Sequence, residues 1–136
     1  MNYKTKTVWN EGYHFTTSFD HRETHFDAVE LAKNPQGVSP KTMLLSSLAG
    51  CTGMDVVALL GKYKVPFSDF DLEVSGEVTD THPKYFHKIH VIYQIKVAEE
   101  HREKVEEAIQ LSREKYCGVQ AMLNKAAEIT HEIKYL

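Results

Sequence analysis

The eighteen residues from Met43 to Leu60 constrain this chain more than any other stretch. Their apolar side chains (Met43, Leu44, Leu45, Leu48, Ala49, Cys51, Met54, Val56, Val57, Ala58, Leu59 and Leu60) cannot share one stripe of a helix. A helix that is apolar all round must be covered on all sides. Ser39 suits an N-cap, Pro40 the first helical position, and Val65-Pro66 ends the helix, so it is predicted over about Pro40–Tyr63. The length raises the membrane question. Asp55 near the centre and the polar Ser46, Ser47, Gly50, Thr52 and Gly53 argue instead for a buried helix in a soluble protein. With 136 residues in one domain, few elements remain to cover such a helix. A second subunit supplies the cover, so a homodimer is expected. Ser46, Gly50 and Gly53 form a row of small side chains that lets another backbone come close, either within the chain or across a subunit crossing.

The rest reads as short elements. Tyr3–Trp9, Tyr13–Phe19 and His25–Leu31 are predicted strands, separated by turns at Asn10-Glu11-Gly12 and Asp20-His21-Arg22-Glu23. Ala32–Val38 is a loop. Phe70, Leu72, Val74 and Val78, then Ile89, Val91, Tyr93, Ile95 and Val97, alternate with polar residues and read as a hairpin. Val105, Ala108, Ile109, Ser112 and Tyr116 form the inward stripe of a surface helix. Val119, Met122, Leu123, Ala126 and Ala127 mark a third helix, and Ile129, His131, Ile133 and Tyr135 a last strand. The order βββ–α–ββ–α–α–β is α+β, with antiparallel sheets and segregated helices.

A net charge of −3 gives no reason to expect nucleic acid or an acidic membrane surface as partner. Met1–Lys6 alternates charge with polar groups and no apolar segment comes after it, so a cytoplasmic, reducing location is expected. Cys51 and Cys117 there are thiols with a job or inert core residues, rather than a permanent staple. Asp55, one turn beyond Cys51, disfavours a thiolate unless a cation pairs with it. Cys117 precedes Gly118, where a new helix starts; a thiol beside helix N-terminal N–H groups is more acidic than usual, whereas one buried at a helix junction is inert. No metal site or cofactor is expected. His21-Arg22-Glu23-Thr24-His25 has its Glu misplaced for a zinc-protease helix, and His87 and His90 fall on opposite faces of a strand. His131, between Ile129 and Ile133, reads as a core histidine, with a proton shuttle for a thiol as the alternative.

Two segments carry a resemblance. Ser39-Pro40-x-x-Met43-Leu44-Leu45, continuing to Ala49-Gly50-Cys51-Thr52-x-x-Asp55-Val56-Val57, resembles the first-cysteine helix of the OsmC/Ohr superfamily in its YhfA-like branch. Glu114-Lys115-Tyr116-Cys117-x-Val119-x-x-Met122-Leu123 is similar to that branch's second-cysteine segment. The resemblance covers the whole chain in element order. It implies an OsmC-like fold: an intertwined homodimer with long central helices and sheets wrapped around them. It also implies a redox chemistry related to oxidative stress. Cys51 attacks an organic hydroperoxide and becomes a sulfenic acid; Cys117 condenses with it to a disulfide; an external thiol restores both. Peroxidase members carry an acidic residue just after the helix-starting Pro and an Arg from an early turn. Here Lys41 and Thr42 occupy the acidic positions, and Arg22, one turn later, is the available Arg. Slow turnover is therefore expected. The alternative is a non-enzymatic dimer of the same fold that responds to redox state or binds a small apolar molecule.

Overall fold

The computed structural model describes all residues, Met1–Leu136. They divide into two compact units, Met1–Leu44 and Leu45–Leu136.

The first unit is a three-stranded antiparallel sheet in the order β1 (Lys6–Glu11), β2 (His14–Phe19), β3 (Arg22–Phe26), with a loop after it. The third strand lies earlier than its predicted His25–Leu31. Asp20 takes a left-handed φ of 57°, so the chain reverses within Asp20-His21 and Phe19 pairs directly with Arg22. The predicted four-residue turn is thus half strand. Asp27, buried, ends β3 and organises the loop beyond it: its carboxylate accepts the Ala28 N–H at 2.8 Å and the Gln36 N–H at 2.9 Å. Register places Trp9, Phe15, Phe19 and Phe26 on one face, and Trp9 remains 62% exposed.

Helix α1 (Pro40–Lys62) runs almost as predicted. The Ser39 carbonyl accepts the Met43 N–H at 3.0 Å, which starts it. It ends where Lys64 takes a φ of 57° and the Val65 N–H returns to the Leu60 carbonyl. The helix is long and apolar enough to cross a membrane, yet one stripe (Leu48, Thr52, Gly53, Val56, Leu60) is buried within the chain. Leu44, Met54 and Val57 stay exposed.

In the second unit, β4 (Phe67–Val78) and β5 (Phe86–Val97) form the expected antiparallel hairpin. The last strand, β6 (Glu128–Tyr135), corrects the all-antiparallel expectation: it pairs with β5 in parallel, Ile89 opposite Ile129 through Ile95 opposite Tyr135. The thirty residues between β5 and β6 hold helical segments, the kind of crossover that a parallel neighbour requires. These are a 3-10 turn (Glu99–His101), α2 (Arg102–Leu111), a π-helical turn (Ser112–Tyr116) and α3 (Gly118–Leu123). The core joins Leu48, Val56 and Leu60 of α1 to Val91, Tyr93 and Ile95 of β5 and to Val105, Ala108 and Ile109 of α2. The class is α+β, with a long central helix.

Candidate active site

The two cysteines meet. They stand 3.1 Å apart and are not bonded. Cys51 comes from the middle of α1 and is half-buried, whereas Cys117 is 4% exposed. The segment before Cys117 explains how it is held. The π-helical turn adds a residue to the end of α2, and the Cys117 N–H donates back to the Ser112 carbonyl at 2.8 Å. Cys117 then caps α3, its sulfur accepting the Gln120 N–H at 3.4 Å.

A chain of hydroxyls runs behind the thiols. Ser112 Oγ donates to Asp55 Oδ2 at 2.8 Å. Ser112 has one hydroxyl proton, so Thr52 Oγ1, 2.7 Å away, donates to Ser112, and the Tyr93 hydroxyl, 2.8 Å from Thr52, donates to Thr52. Tyr93, Thr52 and Ser112 are fully buried. Burial raises the Tyr93 phenol above its ordinary value, which keeps it the proton donor at the head of the chain. Asp55, expected either to disfavour a thiolate at Cys51 or to fix the helix by a hydrogen bond, accepts from Ser112, and its charge acts on Cys117.

Of the two readings of Cys117, an acidic thiol before α3 or a buried one at the helix junction, the buried one fits the structure. The Gln120 N–H does favour the thiolate, but it is outweighed. Burial, the hydrogen bond to Cys51 and the negative charges of Cys51 and Asp55 push Cys117 up to about 12. A thiol whose folded value lies above its unfolded value near 9 stabilises the fold fully below pH 9, and that contribution is lost as the pH rises towards 12. Urea-unfolding midpoints are therefore expected to fall across this window, and Cys117→Ala is expected to flatten the decline. An unchanged slope in the variant contradicts the assignment.

The remaining predicted residues lie on other elements. Arg22 opens β3, and Lys41 and Thr42 lie in the first turn of α1; all three belong to the first unit. Thr42 Oγ1 donates to the Ser39 carbonyl at 2.9 Å. His131 is an exposed residue of β6, not a core histidine. Its ring stands edge-on to Tyr93 at 6.1 Å, and burial of the ring together with the Arg113 charge lowers its pKa. Thr52, Ser112, Tyr93 and Arg113 were not singled out for chemistry from the sequence. Arg113 donates to the Ile129 carbonyl at 3.0 Å, and its charge acts on Tyr93 and His131. The one signal for Ser112 was a hydroxyl on the apolar stripe of α2, where a buried polar group needs a partner.

Comparison with known proteins gives consistent results. The pattern of the OsmC-like protein family matches residues 33–132, a span that holds both cysteines. Protein YhfA of Escherichia coli (strain K12) is 29% identical over 128 residues, covering 94% of each chain. A crystal structure of a hypothetical protein from Aquifex aeolicus VF5 matches with a TM-score of 0.83 at 26% identity, covering 100% of this chain and 98% of that one. An organic hydroperoxide resistance protein from Elizabethkingia anophelis shares the fold, with a TM-score of 0.72 at 11% identity, covering 100% of this chain and 97% of that one. A match over most of the length, together with two cysteines that the fold brings side by side, makes this chain a member of the OsmC-like protein family.

Proposed function

We propose that the chain is a thiol-dependent peroxidase that reduces organic hydroperoxides through Cys51 and Cys117 and works as a homodimer of single 136-residue domains. The observation that carries this reading is the 3.1 Å approach of one half-buried and one buried thiol. The Cys51 thiolate attacks the terminal oxygen of the hydroperoxide. The O–O bond breaks, the hydroperoxide's terminal O–H stays on Cys51 as a sulfenic acid, and the alkoxide leaves as the alcohol by taking up the proton that the Cys51 thiol released on ionising. The Cys117 sulfur then attacks the Cys51 sulfur, and water leaves with the Cys117 proton and the sulfenic oxygen. An external thiol reductant returns the disulfide to two thiols. Turnover is slow, because Lys41 and Thr42 stand where peroxidase members carry an acidic residue and the matching early turn, Asn10-Glu11-Gly12, has no Arg.

The dimer rests on the exposed apolar residues of α1 and on the uncovered aromatic face of the first unit's sheet. A second reading, a non-enzymatic dimer that binds a small apolar molecule, draws on one feature. In the single chain Gly50, Met54 and Val57 of α1 and Phe70 and Leu72 of β4 line an apolar cleft of about 550 Å³, and in the dimer the partner subunit would supply its remaining wall.

Cumene hydroperoxide separates the two readings. Treatment is expected to remove both free thiols, with a mass loss of two hydrogen atoms per chain. Cys117→Ser is expected to stop at a trappable sulfenic acid on Cys51. Unchanged thiols after prolonged exposure reject the peroxidase reading and leave the binding module.

A further inference from the structure

In this chain no arginine of the matching early turn is present to stabilise a thiolate, and the group that does reach Cys51 is Cys117. We propose that Cys117 acts before it resolves the sulfenic acid: its buried S–H donates a hydrogen bond to the Cys51 sulfur and stabilises the attacking thiolate in place of a cation. This role rests on the peroxidase reading for its purpose, but it is a property of the resting protein and is measured without peroxide.

Four observations carry it. The cysteines are 3.1 Å apart and a side-chain hydrogen bond joins Cys117 to Cys51. Their surroundings differ: Cys51 is half-buried and reachable, while Cys117 is buried and shielded from solvent. The one lone-pair contact made by the Cys117 sulfur, with the Gln120 N–H, leaves its proton free to point elsewhere. The direction of the bond is set by which thiol keeps its proton. Cys117, 4% exposed, loses more solvation on ionising than half-buried Cys51, so Cys117 keeps its proton and is the donor, and Cys51 is the acceptor.

Ser112 is the positioning residue. Its carbonyl receives the Cys117 N–H and its hydroxyl is locked between Thr52 and Asp55. Helix α1, which carries Cys51, and the turn that leads to Cys117 are thereby pinned at two points. The same arrangement then serves the second step. Once Cys51 carries a sulfenic oxygen, the Cys117 sulfur already lies beside the sulfur it must attack, and its proton leaves with the departing water.

The test is alkylation of Cys51 by iodoacetamide, read by site-resolved mass spectrometry near neutral pH. In the wild type, Cys51 is expected to react first with Cys117 unmodified. Cys117→Ala removes the donor and is expected to slow Cys51 alkylation by about tenfold, the effect of losing one hydrogen bond to a charged group. Cys117→Ser keeps an O–H donor at the same place and is expected to restore most of the rate. Equal or faster alkylation in Cys117→Ala overturns the proposal, as does a rate in Cys117→Ser that matches Cys117→Ala. The wild-type protein gives a second readout that needs no variant. Its thiolate ultraviolet absorbance is expected to rise in two separate steps with pH, one thiol at a time, and a single joint step overturns the proposal. Failure of the peroxidase reading is recognised separately, as alkylation with this pattern in a protein whose thiols ignore hydroperoxide.

Discussion

Val57→Asp is expected to convert the proposed homodimer into a monomer. Val57 is 47% exposed and Met54 74% exposed in the isolated chain, on a helix whose central eighteen residues hold a single charge, Asp55. Gly50, on the same helix, has nothing within 4 Å of the place a Cβ would take, which leaves its backbone open to close approach. A symmetric interface over this surface presents every substitution twice. An unpaired carboxylate buried there costs about 3 kcal/mol or more, so the pair costs about 6 kcal/mol. That raises the dimer dissociation constant by about 10⁴-fold. Light scattering on a sizing column at micromolar concentration is expected to report twice 15.6 kDa for the wild type and 15.6 kDa for the soluble variant. Val57→Ala, which only removes two methyl groups, is expected to remain dimeric. A wild-type protein that elutes as a stable monomer rejects the interface outright.

Much of the architecture was legible, and the places where it was not have physical causes. The bounds of α1 came from local chemistry, Ser39-Pro40 at one end and Val65-Pro66 at the other, and local chemistry is what a sequence carries directly. The alternation in β4 and β5 likewise declared which residues face the core. Alternation says nothing about direction, so β6 was recognised as a strand but not as a parallel one. The π-helical turn was invisible because it is a one-residue excess in an otherwise helical pattern. It rotates Tyr116 off the apolar stripe of α2, and Tyr116 is 50% exposed where the pattern placed it in the core. The row of small residues on α1 split in two: Gly53 lies against Leu72, where an added Cβ would meet Leu72 Cδ1 at 3.3 Å, and Gly50 faces open space. Cys51 and Cys117 were found as motifs. The hydroxyl chain behind them was not, because its partners lie 41, 60 and 57 residues apart and each hydroxyl alone reads as an ordinary polar residue.

That chain is where a single small change is expected to have its largest effect on stability. Thr52→Val keeps the shape of the side chain and removes the hydroxyl that joins Tyr93 to Ser112. Tyr93, fully buried, then has a phenol with no acceptor, and Ser112 loses the proton it received. An unsatisfied buried hydroxyl and the broken hydrogen bonds together cost about 3 kcal/mol. In a domain of this size that lowers Tm by about 10 °C. The double variant Thr52→Val with Tyr93→Phe removes both the acceptor and the stranded donor. It is expected to be more stable than Thr52→Val alone by about 1 kcal/mol, since an apolar pair of the same shape leaves nothing unpaired. Thr52→Ser keeps the hydroxyl and is expected to cost only about 1 kcal/mol, for the lost methyl. Thermal melts of the four proteins read these differences, and a Thr52→Val melt within a degree of the wild type rejects the chain as a stabilising element. The same substitution links stability to chemistry. With Thr52 silent, Ser112 is held by Asp55 alone among side chains, and closure of the proposed Cys51–Cys117 disulfide is expected to slow even where the fold survives.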